Sequence, residues 1–198
     1  MTALLEEGAG EMNSVQFAEA AEALATSARF NVSDDALVVS TRALTENRDQ
    51  AAELLRQALT EPRFDPDAVE RVRAQVQSVI RSEATDPESI AAKELARQAW
   101  GAHPYATSTN GTAESVGALS RDDLIDAKNR ILARDRVVVA ASGDIDAKEL
   151  GLLIDKVLGG LPETGSAPLP DPAVLGLTGG VTVIDWDSPQ TVVNFAQP

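Results

Sequence analysis

Val69, Val72, Val76, Val79 and Ile80 recur three or four residues apart in "DPDAVERVRAQVQSVIRSE", which predicts one apolar stripe on a long helix. Asp65-Pro66 opens that helix with a cap and a proline in the first turn, and Asp86-Pro87 repeats the signal for a further helix to about Trp100. Upstream, "VQFAEAAEALAT" reads as a helix behind Asn13 or Ser14, with Gln16 placed to close a capping box. "SARFNVSD" and "ALVVSTRAL" alternate apolar and polar residues, which predicts antiparallel strands turning at Ser33-Asp34-Asp35. "RDQAAELLRQALT" predicts a helix from Asn47 that closes before Pro62, and residues 1–8 read as a short helix stopped by Gly8-Ala9-Gly10.

The second half of the chain is read in the same way. "GAHPYATSTNGT" is a loop by composition, and two short helices follow, the second from Ser120 with Asp123 as its box partner. "DRVVVAASGD" predicts a buried strand ending in a turn, and Asp146 with Glu149 opens a helix to Leu158. "VTVIDWD" and "TVVNFA" predict two more strands. The pattern is α+β: an antiparallel sheet packed against several helices. It divides into a domain at 1–160, a glycine- and proline-rich linker at 161–180 and a strand pair at 181–198.

Charge narrows the functions. The chain of 198 residues carries 31 acids and 17 bases, a net charge of −14. An acidic surface disfavours nucleic acid, whose binding needs cations to displace counterions, and is compatible with a basic peptide. No apolar run approaches the roughly 20 residues of a membrane span, and the first residues lack the basic and apolar regions of a signal peptide. With no cysteine there is neither a disulfide nor a thiolate metal site. With one histidine, His103, no site built on two imidazoles can form. His103 in "AHPYA", flanked by Trp100 and Tyr105, reads as structural, and the glycines of "TNGT" and "SGD" read as turns, since no phosphate-binding G-x-x-x-x-G-K run exists. Asp144 and Asp146 follow a strand end, where capping already accounts for Asp146.

Three ordered segments, "LLRQALTEPRFDPDAVERVRAQ", "GAHPYATSTNGTAESVGALSRDDL" and "RVVVAASGDIDAKELGLLIDKVLGGLP", together resemble the pitrilysin/insulinase family of zinc metallopeptidases, which includes the mitochondrial processing peptidases. The resemblance implies one half-repeat of a LuxS/MPP-like metallohydrolase fold. It also places the opening "ALLEEG" on the family's H-x-x-E-H helix, in which two histidines hold zinc and the glutamate takes a proton from the zinc-bound water. Ala3 and Glu7 then replace the histidines, Glu6 stands at the general-base position and Glu83, 76 residues beyond Glu7, at the third-ligand position.

These replacements imply a chain with no catalytic residue and no resident metal or other cofactor, Glu6 being vestigial. Three carboxylates are a poor set for zinc, which prefers nitrogen and sulfur, and their convergence would raise at least one pKa. The stripe of the Val69–Ile80 helix places Glu83 on its apolar side; a frayed last turn reaching solvent is the alternative. The resemblance further implies a non-catalytic subunit or domain that binds extended peptide and assembles with an active peptidase subunit of the family or with itself. A structural assembly protein derived from the same fold is the alternative, and an active hydrolase using another metal a more remote one. A bacterial periplasmic location is also implied. The chain reads as cut from a longer protein, with residues 181–186 and 191–195 expected to fill empty places beside the sheet, in this molecule or a neighbour.

Overall fold

The computed structural model describes residues 1–197. Its packing forms two compact units, Met1–Val72 with Leu119–Ala167, and Arg73–Ala118 with the segment from Pro168 onward.

In the first unit a hairpin of β1 (Gly8–Ala9) and β2 (Met12–Asn13) leads into α1 (Ser14–Ala23). Asn13 accepts from the Gln16 amide at 3.0 Å while the Gln16 side chain accepts from the Asn13 amide at 3.0 Å, the capping box expected from the sequence. Then β3 (Ser27–Val32) and β4 (Leu37–Arg42) pair antiparallel with Phe30 opposite Val39, turning where Ser33 bonds the Ala36 backbone. The predicted helix α2 spans Arg48–Thr60. Asn47 precedes it but makes no side-chain cap, because its amide donates to the Leu24 carbonyl at 2.9 Å instead.

Helix α2 has apolar side chains on two faces, and each face builds a core. Leu54 and Ala58 pack with Ala9 and Phe17, while Ala52 and Leu59 pack with Val157 and Leu161, and Phe30 lies against both clusters. Burying a side chain such as Phe17 stabilises the unit by roughly 1.5–3 kcal/mol. Val157 belongs to α7 (Ala147–Leu158). Asp146 caps α7 by accepting from the Lys148 and Glu149 amides, both at 2.8 Å, and the Glu149 carboxylate turns to Arg48 at 3.2 Å rather than closing the box.

Helix α3 (Pro66–Glu83) runs from one unit into the other. Its stripe is buried at Val69 and Val72, yet Val79 is 47% exposed, so the stripe covers a core over its first half only. The second unit holds α4 (Pro87–Trp100), the short α5 (Ala113–Ala118) and a 3-10 turn at Pro104–Ala106. There the chain after Pro168 is tied to the end of α4: the Gly176 amide donates to the Ala99 carbonyl at 2.7 Å, and Gln98 donates to Thr182 at 2.8 Å. Helix α6 (Arg121–Ile131) returns to the first unit with the predicted Ser120–Asp123 box.

Two expectations are corrected. Residues 137–141 form no buried strand; a 3-10 turn at Arg134–Arg136 precedes them, and Val138 is 98% exposed. Residues 181–186 and 191–195 also form no strand, and Val181, Val183, Val193 and Phe195 are exposed, so the expected filling of the sheet within this molecule does not occur. The reason is shared: β-branched residues favour a pleated surface only when a neighbouring strand supplies hydrogen bonds and contacts. Among the described residues the sheets are the two hairpins, β1–β2 and β3–β4. The α+β class holds, with less sheet than the sequence predicts. No described helix is long and apolar enough to cross a membrane.

Candidate functional site

The opening segment is not the α-helix its composition predicts. Thr2–Leu4 form one 3-10 turn that buries Leu4 and Leu5 and leaves Ala3 and Glu6 exposed. Gly8 stops any helix, with φ +110 and so little room that a Cβ would lie 2.9 Å from the Met12 carbonyl oxygen. The segment gains its order from backbone pairing instead: the Gly10 amide donates to the Glu61 carbonyl at 2.9 Å and the Arg63 amide to the Gly8 carbonyl at 3.1 Å. Directly after Arg63, Phe64 sits at φ +48, an uncommon conformation for a bulky residue, with its side chain fully buried.

Each carboxylate singled out in the sequence has its own surroundings. Glu7 accepts from the Arg71 guanidinium at 2.5 Å, which ties the opening segment to the first turns of α3. Glu6 keeps an exposed surface, yet burial around its carboxyl, and then the charge of Glu7, push its pKa above the ordinary value. Glu83, in the second unit, accepts from Lys93 at 2.9 Å and from the Asn110 side chain at 2.8 Å. Its carboxylate neither frays into solvent nor stands free. Among the described residues, no three His, Asp or Glu side chains form a group able to hold a metal ion. Ala3 offers no donor atom, and the oxygens of Glu7 and Glu83 already face cations, so this donor set does not fit zinc, which favours nitrogen and sulfur ligands.

His103 caps the 3-10 turn. Its Nδ1 accepts from the Tyr105 amide at 3.2 Å, which leaves Nε2 to carry the proton and donate to the Asp171 carbonyl at 3.0 Å. Its ring meets Tyr105 at 4.5 Å between centroids, and Tyr105 meets Trp100 edge-on at 5.5 Å, which is the packing role expected for this trio. The glycines of "TNGT" and "SGD" serve turns: Gly111 and Gly143 take φ of +74 and +139.

Sequence reasoning missed an open cleft of about 410 Å³ in the first unit, lined by Gly10, Glu11, Glu61, Pro62, Arg63, Asp65 and Arg121. Arg121 closes one side by donating to the Arg63 carbonyl at 2.9 Å, and Arg63 pairs with Asp65 at 2.8 Å. No periodic signal announces such a cleft, because its walls come from segments far apart in the chain.

Residues 3–113 match the family model described as insulinase (peptidase family M16), and residues 118–198 match that of the peptidase M16 inactive domain. A Helicobacter pylori protein named non-peptidase homolog YmxG is 27% identical over 160 residues, 81% of this chain and 37% of that protein. Bovine cytochrome b-c1 complex subunit 1, a mitochondrial protein, is 28% identical over 123 residues, 62% of this chain and 26% of its own length. The crystal structure of a peptidase M16 inactive domain from Pseudomonas fluorescens superimposes with a TM-score of 0.82 at 24% identity, covering 87% of this chain and 42% of that one. The chain therefore spans well under half the length of the relatives it matches.

Proposed function

The chain belongs to the insulinase-type peptidase family M16, and from that premise we propose that it is part of a non-catalytic member, contributing to peptide binding and to assembly with an active partner of the same family. The observation that carries this reading is at the opening segment, where Glu7 is turned onto Arg71; the resemblance aligns Ala3 and Glu7 with the zinc histidines of active members. Glu6, at the general-base position, then has no metal-bound water to deprotonate and is vestigial. The match of residues 118–198 to the inactive domain supports the reading, as does the name non-peptidase homolog borne by a relative. Zinc and hydrolysis would belong to the partner. The net charge of −14 suits an extended basic peptide.

The test is elemental analysis of the purified chain after dialysis against excess zinc, with peptide hydrolysis assayed alone and together with an active M16 peptidase encoded nearby. Zinc far below one per chain, no hydrolysis alone and stable association with the active peptidase are expected. One tightly held zinc, or hydrolysis by the chain alone, overturns the reading.

The likeness to cytochrome b-c1 complex subunit 1 favours a second reading, a structural assembly protein without a peptidase partner. Purification from its native host distinguishes the two: a stable complex that contains no peptidase subunit supports assembly over peptide processing.

A further inference from the structure

We infer that Glu83 is a structural anchor that fixes the loop between α4 and α5 to the corner where α3 meets α4. The resemblance gives this position to a metal ligand, and here its carboxylate holds together three stretches of chain. It is the last residue of α3 and only 23% of its side chain is exposed. One oxygen, Oε2, accepts from Lys93 on α4 at 2.9 Å, and the other, Oε1, accepts from the Asn110 side-chain amide at 2.8 Å. Both bonds are charge-assisted, and so stronger than bonds between neutral groups.

The loop is shaped to present Asn110. The Gly111 amide donates to the Ser108 carbonyl at 3.0 Å and the Asn110 amide to the Ser108 hydroxyl at 3.2 Å, which folds residues 108–111 into a turn. Gly111 adopts φ +74 with the Ser115 hydroxyl 2.9 Å from where a Cβ would be, so no other residue fits without strain. Beyond it, Thr112 and Ser115 cap α5 through reciprocal bonds of 2.9 and 3.1 Å. The turn and the cap fix the loop's internal shape. Tyr105 packs the start of the loop on Trp100, and Asn110 on Glu83 ties its far end, residues 108–111, to the helices.

Amide hydrogen exchange of the intact chain tests this, with variants Glu83→Ala, Glu83→Gln, Asn110→Ala and Lys93→Met. Losing one charge-assisted hydrogen bond corresponds to roughly tenfold or more in the opening equilibrium. Glu83→Ala and Asn110→Ala are therefore expected to speed exchange at residues 110–112 by about that factor, with helix content unchanged. Glu83→Gln keeps an acceptor for Asn110 and is expected to show a smaller effect. Lys93→Met leaves the Asn110 bond in place and is expected to leave the loop protected. Unchanged exchange at 110–112 in both alanine variants overturns the inference; if Glu83→Ala fails to fold, Asn110→Ala alone decides it. The anchor is separable from the non-catalytic reading, which rests on zinc content and hydrolysis and survives a failure here.

Discussion

Lys128 Nζ donates to the Thr60 carbonyl oxygen at 2.9 Å, bringing a side chain from α6 onto the last turn of α2. The end of a helix leaves carbonyls without intrahelical partners, and this contact satisfies one of them. Burial lowers the Lys128 pKa, outweighing the attraction of Glu61, so the ammonium charge is less favourable in the folded chain than in the unfolded one. The contribution of Lys128 therefore lies in its N–H donor and its packed stem.

Replacing Lys128 by Met keeps the stem and removes the donor. A loss of about 1 kcal/mol is expected, read from urea unfolding. The pH dependence follows from the lowered pKa. Between the folded pKa and the unfolded value near 10.5, the unfolded chain binds more protons, so the lysine makes stability rise as pH increases through that window. Lys128→Met is expected to flatten the rise.

Glu53 contributes in the same sense, at acid pH. Hydrogen bonds from Arg56, reinforced by Gln57 and Lys156 against the cost of burial, hold its pKa down to about 2, compared with 4.5 for a free glutamate. Its contribution to stability is complete above 4.5 and fades as pH falls toward 2. In Glu53→Gln, denaturant midpoints measured at pH 6 and pH 3 should lie closer together than in the unaltered chain. Equal differences in both proteins would place the acid sensitivity elsewhere.

Phe64 is 1% exposed, and its positive φ is held in place by the packing of its ring. Phe64→Ala is expected to cost about 3–5 kcal/mol, because it removes a fully buried ring and opens a cavity. Calorimetric unfolding checks this, and Phe64→Leu, which refills most of the volume, should recover most of the loss.

Gly8 tests the opening segment. A Cβ there meets the Met12 carbonyl oxygen at 2.9 Å and must also adopt φ +110. Gly8→Ala is expected to destabilise by about 1–3 kcal/mol and to speed amide exchange at Gly10 and Arg63, whose hydrogen bonds hold this segment against residues 61–63. An α-helix across residues 2–8, as its composition suggests, would tolerate the alanine.

The helices were legible because their signals are local. Asn13 with Gln16, Asp86 with Pro87, and Ser120 with Asp123 are pairs a few residues apart, and each caps or opens a helix where it predicts one. The β3–β4 hairpin was legible for the same reason, since its turn at Ser33 joins strands that pair with each other. "RVVVAAS" carries an equally strong strand signal and forms none, because a strand needs a partner that no local pattern supplies. At the candidate site, the sequence located Glu6, Glu7 and Glu83 but not Arg71, Lys93 or Asn110, which meet them only through the fold.

By itself the sequence determined how little zinc-binding chemistry this chain carries: a single histidine at 103, an alanine at 3 and no cysteine leave one imidazole and no thiolate, too few for a site built on nitrogen and sulfur. It also determined the order of helices, because capping and periodicity act over one or two turns. Tertiary structure decided what the remaining carboxylates do. Glu7 binds Arg71 across 64 positions of sequence and Glu83 binds Asn110 across 27. A carboxylate's role is set by the charges and donors brought beside it, and only packing brings them there.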